Sequence, residues 1–120
     1  MIVAGFGFRA SATVDSLSDA LALTAVANID AIATPTDKAR SNTLQAFAKA
    51  RNLPVVEIDA DAMQAAETQT QSAKVREKRG TGSVAEACAL AALNNATLTT
   101  PRVVSTDNLA TCAVARGEPL

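Results

Sequence analysis

Apolar and polar positions along this chain switch between a period of two and a period near 3.6, and each switch marks an element. Ile2–Phe6 is a short apolar run punctuated by Gly5 and closed by Gly7, the pattern of a buried strand. From Thr13 to Ala27 the period is helical, with Val14, Leu17, Leu21 and Ala25 on one face. Ser11 or Thr13 is available as its N-cap, and Asp15 and Asp19 suit its positive end. Asp30–Thr34 reads as a second strand, Pro35 breaks it, and Thr36-Asp37-Lys38 form a turn. Asn42–Arg51 is a second helix with Leu44, Phe47 and Ala48 inward and Asn52 near its C-terminus. Pro54 introduces the strand Val55–Ile58, and Asp59–Glu67 is a short helix capped by Asp59 or Asp61. Thr68–Gly82 is polar, charged and unpatterned, which predicts a mobile loop. Ser83–Leu93 is a third long helix, and Asn94-Asn95 stop it. Ala96–Thr100, Arg102–Ser105 and Leu109–Arg116 read as strands, the last two joined by the turn Thr106-Asp107-Asn108.

Strands that alternate with helices are parallel and need crossover connections, whereas the closing hairpin is antiparallel. The chain is therefore expected to be one α/β domain over residues 1–120, a three-layer α/β/α sandwich. Its sheet should be mixed and mostly parallel, with about five strands.

Composition narrows the chemistry. Aromatic residues are only 2% and all are Phe, so the core rests on Ala, Val, Leu and Ile, and its layers can approach closely. Histidine is absent, which removes the commonest general base and the commonest transition-metal ligand. Two cysteines make neither a disulfide framework nor a zinc site. Cys88 falls at helical spacing with Val84, Ala87 and Ala91, and Cys112 alternates with Ala110 and Val114, so both read as buried thiols. Neither a metal nor a cofactor is expected. A net charge of −1 gives no general attraction to nucleic acid or to an anionic membrane. No apolar run reaches membrane-spanning length, and Met1–Gly5 lacks the charged start of a signal peptide, so a cytoplasmic protein is expected.

Three loops carry candidate chemistry. Gly5-Phe6-Gly7-Phe8-Arg9-Ala10 follows a strand and leads toward a helix, like the start of a dinucleotide fingerprint. The third glycine is replaced by Ala10, and the acid expected after the second strand is missing, because Thr34 stands there. A tight turn and a ligand site of another kind both remain open, with Arg9 placed to hold a carboxylate or phosphate. Thr34-Pro35-Thr36-Asp37-Lys38 leaves the next strand on the same sheet edge, where Asp37 and Lys38 are acid–base candidates and equally a solvated turn. Arg79-Gly80-Thr81-Gly82-Ser83 leads into a helix, where free N–H groups and the helix dipole favour an anion. Lys74, Arg76 and Lys78 lie just upstream. The spacing is not that of a nucleoside-triphosphate loop, and no aromatic residue interleaves the cations as in a single-strand nucleic-acid platform. Ser83 and Glu86 fit the S-x-x-E capping box, so Glu86 has a structural reading beside a catalytic one.

These segments occur in a familiar order: Gly5-Phe6-Gly7-Phe8-Arg9 with Ser11, Thr34-Pro35 with Asp37-Lys38-Ala39, Gly80–Ala87, and Ser105…Asn108…Ala113-Val114-Ala115. Together they resemble the CobE family of cobalamin biosynthesis, which is similar to the C-terminal domain of CbiG. The resemblance spans nearly the whole chain, and the run Thr81–Ala87 is its most specific part. It implies an α/β domain acting in corrin assembly, with a precorrin-type tetrapyrrole or a fragment released from it as ligand. It also implies two alternatives. One is a hydrolase in δ-lactone opening and two-carbon extrusion, with Asp37, Lys38 or Glu86 moving protons. The other is an accessory protein that hands intermediates between cobalamin-pathway enzymes. Members of the family often carry Cys in the first loop, where this chain has Phe8, so no thiol acts from that position here. The ligand-binding set expected on this basis is Gly7, Phe8, Arg9, Thr34, Asp37, Lys38, Gly80, Thr81, Gly82 and Ser83.

Overall fold

The computed structural model describes residues 1–69 and 83–120. Five strands form one sheet: β1 (Ile2–Phe8), β2 (Ala31–Pro35), β3 (Val55–Ile58), β4 (Leu93–Val104) and β5 (Ala110–Pro119). Their order is β3-β2-β1-β5-β4. β1, β2 and β3 pair in parallel, while β5 pairs antiparallel with both β1 and β4. β4 therefore runs in the direction of β1, and β5 alone runs against the other four. Among the described residues the helices are α1 (Val14–Leu23), α2 (Thr36–Ala39), α3 (Asn42–Ala50), α4 (Ala60–Gln69) and α5 (Ser83–Ala91).

Alternation along the strands divides the core into two layers. Ala4, Phe6, Ile32, Cys112 and Val114 pack with α1 and α3 on one face. Phe6 and Phe47 meet edge to face there, with ring centroids 5.3 Å apart. On the other face Val3, Ala31, Ala33 and Ala115 pack with α4 and α5. Small side chains dominate this second layer, and α5 lies very close to the sheet. A Cβ built on Gly5 would stand 2.1 Å from the Ala85 carbonyl oxygen. Gly5 is thus the gap into which α5 fits, which is the packing reason for the first glycine of the Gly5-Phe6-Gly7 run.

Local signals place most boundaries. Thr13 caps α1 in a reciprocal box: its side chain accepts the Ser16 N–H, and the Ser16 hydroxyl accepts the Thr13 N–H. α1 ends at Leu23 rather than Ala27. Thr24 turns its hydroxyl onto the Leu21 carbonyl, and Ala25 adopts a left-handed conformation, φ 59°. Ser41 caps α3, and Asn52 takes the left-handed position after it, φ 57°. Asp59 caps α4 through the Ala62 N–H.

Three further expectations need correction. The Thr36-Asp37-Lys38 turn is a single helical turn, α2. The strands expected at Ala96–Thr100 and Arg102–Ser105 are one long strand, β4, with register irregularities between Asn94 and Thr97, Leu98 and Thr100, and Thr100 and Val103. Pro101 does not interrupt it, because an edge strand has one side without ladder partners and irregularities accommodate the missing N–H. Asn94-Asn95 begin this strand instead of ending α5, and Asn95 bends it with a φ of 53°. Of the expected loop Thr68–Gly82, the first two residues complete α4; the remainder, including Gly80, Thr81 and Gly82, lies outside the described residues. Cys88 and Cys112 are both buried free thiols, and burial pushes the Cys88 pKa up to about 12.

Candidate functional site

Because four strands share a direction, the ends of β1, β2 and β4 and the beginning of β5 gather on one sheet edge. An open cleft of about 740 Å³ lies there. It is lined by Gly7, Phe8 and Arg9 from the end of β1, Pro35 from β2, and Asp37 and Lys38 from α2. Val84 comes from the start of α5, Arg102 and Val104 from β4, and Asn108 to Thr111 from the closing turn and β5. Ligands of open α/β sheets sit beyond such strand ends.

The lining combines an apolar floor with cations. Phe8, Val84, Val104, Leu109 and Ala110 supply the floor; among the described residues, Arg9, Lys38 and Arg102 supply three positive charges against the single carboxylate of Asp37. That local excess stands out in a chain whose net charge is −1. Lys38 Nζ lies over the Phe8 ring, 5.2 Å from its centroid, which holds the ammonium at the rim of the cleft. Gly7 keeps the cleft open between two walls: a Cβ there would approach Thr111 Oγ1 at 3.0 Å and Val84 Cγ1 at 3.5 Å.

The β4–β5 turn is built as a rigid wall. The Ser105 hydroxyl donates to Asp107 Oδ1 at 2.5 Å and accepts the N–H groups of Leu109 and Ala110 at 3.2 and 3.0 Å. The Ser16 hydroxyl of α1 donates to Asp107 Oδ2 at 2.6 Å, and Asp19 Oδ2 accepts both the N–H and the hydroxyl of Thr106. Asn108 adopts the left-handed conformation that closes the turn, φ 63°. The turn then grips the first loop, since the Arg9 N–H donates to the Leu109 carbonyl at 2.9 Å.

The Ser105 hydroxyl, then the Ser16 hydroxyl and the Leu109 N–H, hold the Asp107 carboxyl below the usual carboxylate range. A carboxyl depressed by folding stabilises fully above its unfolded pKa, roughly 3.9 for Asp, and loses that contribution as pH falls through the folded value. Asp107→Asn is therefore expected to melt below the wild type at pH 7, and the gap should narrow as the pH falls toward 3. Thermal melts at the two pH values check this; a gap that stays constant contradicts it.

Of the residues singled out in the sequence, Gly7, Phe8, Arg9, Asp37 and Lys38 line this one cleft. Thr34 does not join them. It is fully buried and its hydroxyl donates to the Phe6 carbonyl at 3.1 Å, tying β2 to β1 beneath the cleft, and Pro35 takes the lining position. Ser83 opens α5, but its half of the expected capping box lies outside the described side chains. The Glu86 carboxylate accepts the Arg102 N–H at 3.0 Å, so it binds backbone across to β4. Sequence reasoning missed Arg102, Val104, Leu109, Ala110 and Thr111. Their one advance signal is the closing hairpin, whose place beside β1 no local pattern reveals. Among the described residues there is no cluster of three or more His, Cys, Asp or Glu able to hold a metal, and no helix is long and apolar enough to cross a membrane.

Comparison with known proteins agrees with this fold. Residues 2–115 match the family model described as cobalamin synthesis G C-terminus. The solved structure of the cobalamin biosynthesis protein chiG from Agrobacterium tumefaciens superposes with a TM-score of 0.77 at 31% identity, covering 98% of each chain. That of CobE, a protein from the cobalamin (vitamin B12) biosynthetic pathway, superposes with a TM-score of 0.78 at 26% identity, covering 100% of this chain and 92% of the other. No curated protein sequence matches. With nearly its full length matched by the family model and its fold shared with two solved structures of cobalamin biosynthesis proteins, the chain belongs to the cobalamin synthesis G C-terminus family.

Proposed function

We propose that this domain binds the carboxylate-bearing rim of a precorrin-type tetrapyrrole, or a fragment leaving it, in the strand-end cleft during cobalamin biosynthesis in the cytoplasm. The observation that carries this reading is the composition of the cleft, three cations set around an apolar floor. Such macrocycles present acetate and propionate groups around an apolar ring. A matching site needs charge-assisted donors at the periphery and apolar contact beneath. Phe8 and Leu109 offer the second, and Arg9, Lys38 and Arg102 offer the first. Other enzymes of the pathway are the natural partners for delivering and removing such a ligand.

An octacarboxylate porphyrin is a practical probe. Titrated into the folded protein at low salt, it should bind with a micromolar Kd, read by the shift of its absorbance band. Raising the salt should weaken binding, because screening shortens the reach of exposed charges. A folded protein that leaves the porphyrin spectrum unchanged at high micromolar concentration would refute the reading.

A second reading makes the domain the hydrolase itself. It is favoured by one observation, that Asp37 lines the same cleft as the cations and can serve there as the acid–base group. In that case Asp37→Asn keeps the ligand and loses turnover.

A further inference from the structure

Arg102 enters the cleft from an unusual stretch of backbone. It lies in β4 between Thr100, which pairs with Val114, and Val103, which pairs with Cys112, inside one of the register irregularities of that strand. An irregularity of this kind takes residues out of the ladder and re-aims their side chains. The Arg102 N–H is not left without a partner. It donates to Glu86 Oε2 at 3.0 Å, a charge-assisted bond reaching across from α5. Glu86 is half-buried on a helix that is itself packed against β1, β4 and β5. The carboxylate therefore has a fixed origin, and the bond fixes where the irregular segment sits.

Position in the sheet gives this bond a consequence for the ligand. Arg9 follows β1, and Lys38 follows β2 on the far side of β1. Arg102 belongs to β4, separated from β1 by β5. With strands about 4.8 Å apart, the backbones carrying Arg9 and Arg102 lie roughly 10 Å from each other. The two guanidinium groups thus approach the cleft from opposite sides of β5, and each can extend toward a different side of a broad ligand.

Building on the proposed tetrapyrrole reading, we infer that Glu86 is a positioning residue, whose bond to the Arg102 amide sets Arg102 to receive a second anionic group of the ligand, separate from the one met by Arg9 and Lys38. The ligand class follows: an apolar frame with carboxylates on more than one side. Glu86 then touches no substrate and moves no proton, although its charge is what makes the amide bond strong.

Glu86→Ala and Glu86→Gln test this, with and without Arg102→Ala. The first readout needs no ligand. Hydrogen exchange at the Arg102 amide should speed up about tenfold in Glu86→Ala, in line with the loss of a hydrogen bond to a charged group. It should return most of the way in Glu86→Gln, which keeps an acceptor, while the amides of β1 stay protected in both. The second readout is affinity for the octacarboxylate porphyrin. Glu86→Ala should weaken it about tenfold by misplacing a charge-assisted contact. Once Arg102 is already alanine, Glu86→Ala should cost nothing more. A porphyrin with its carboxylates on one edge only should bind equally to the wild type and to every one of these variants. Unchanged exchange at Arg102 overturns the inference, and so does an affinity loss from Glu86→Ala that persists without the Arg102 side chain. If the wild type binds no porphyrin, the functional reading fails by itself, and the exchange result still decides whether Glu86 holds Arg102. Should Glu86→Ala prove unfolded, Glu86→Gln carries both readouts with smaller shifts in the same direction.

Discussion

Gly5→Ala is expected to destabilise the protein by about 3 kcal/mol, and Gly5→Val to leave no folded protein. Overpacking a tight interior costs roughly 1–3 kcal/mol and sometimes more. The upper end applies because the obstruction is main chain. The new Cβ would meet the Ala85 carbonyl oxygen at 2.1 Å and the Ala89 nitrogen at 2.7 Å, more than an ångström inside ordinary contact for the first. Neither atom can rotate away, and β1 cannot retreat, since it is paired with β2 on one side and β5 on the other. α5 would have to lift off the sheet, carrying Val84 away from the cleft and Glu86 away from Arg102. At about 4 °C per kcal/mol, the melting temperature of Gly5→Ala should fall by roughly 12 °C. Gly7→Ala is the internal control. Its nearest obstruction is the Thr111 hydroxyl oxygen at 3.0 Å, the end of a side chain that can turn, and its expected cost is under about 1 kcal/mol. Equal melting temperatures for the two alanine variants would show that α5 does not rest on Gly5 as described.

Arg9→Ala and Lys38→Ala should each weaken binding of the octacarboxylate porphyrin by about 10- to 100-fold, the equivalent of roughly 1.5–3 kcal/mol for a hydrogen bond to a charged group. Their melting temperatures should stay close to that of the wild type, because Arg9 is exposed and Lys38 is only half-buried. Lys38→Ala also uncovers the Phe8 ring, so part of its loss should be recovered as apolar contact, and Arg9→Ala should be the more damaging. Arg9→Lys should recover little, since a point charge does not reproduce the bidentate fork of a guanidinium. Titration of each variant, with melting curves alongside, separates a lost contact from a lost fold. If all three variants bind within twofold of the wild type, the cleft is not the carboxylate site. Asp37→Asn, by removing the one negative charge that the described residues bring to the lining, should bind at least as tightly as the wild type.

The parts of the site that were legible in the sequence are those signalled locally. A strand ending in Gly7-Phe8-Arg9 and another ending before Asp37-Lys38 both reveal loops at one sheet edge, because parallel strands place their carboxyl ends together. Capping was legible for the same reason at Thr13 and Asp59, each of which acts within three residues of itself; Ser41 caps α3 in the same way, but nothing in the pattern singled it out. Thr34 shows the limit. It stands at the correct edge, but the pleat turns its side chain into the core, and one position along the strand separates burial from exposure. Glu86 shows another. An S-x-x-E pattern is local, whereas its bond to Arg102 spans 16 residues and depends on where β4 lies.

By itself, the sequence determined the α/β class, the caps of α1 and α4, the absence of histidine chemistry and the loops that form the first half of the cleft. Each follows from periodicity or from residue types acting on near neighbours. Only the tertiary structure decided that β5 inserts between β1 and β4. That order delivers Arg102, Leu109 and Thr111 to the same edge as Arg9 and Lys38, and it makes β4 an edge strand able to carry Pro101. It also decided that Gly5 serves α5, not the helix that follows it in the chain. Strand order and layer contact depend on pairings between residues far apart in sequence, and no local pattern encodes which distant partner a strand or a glycine will meet.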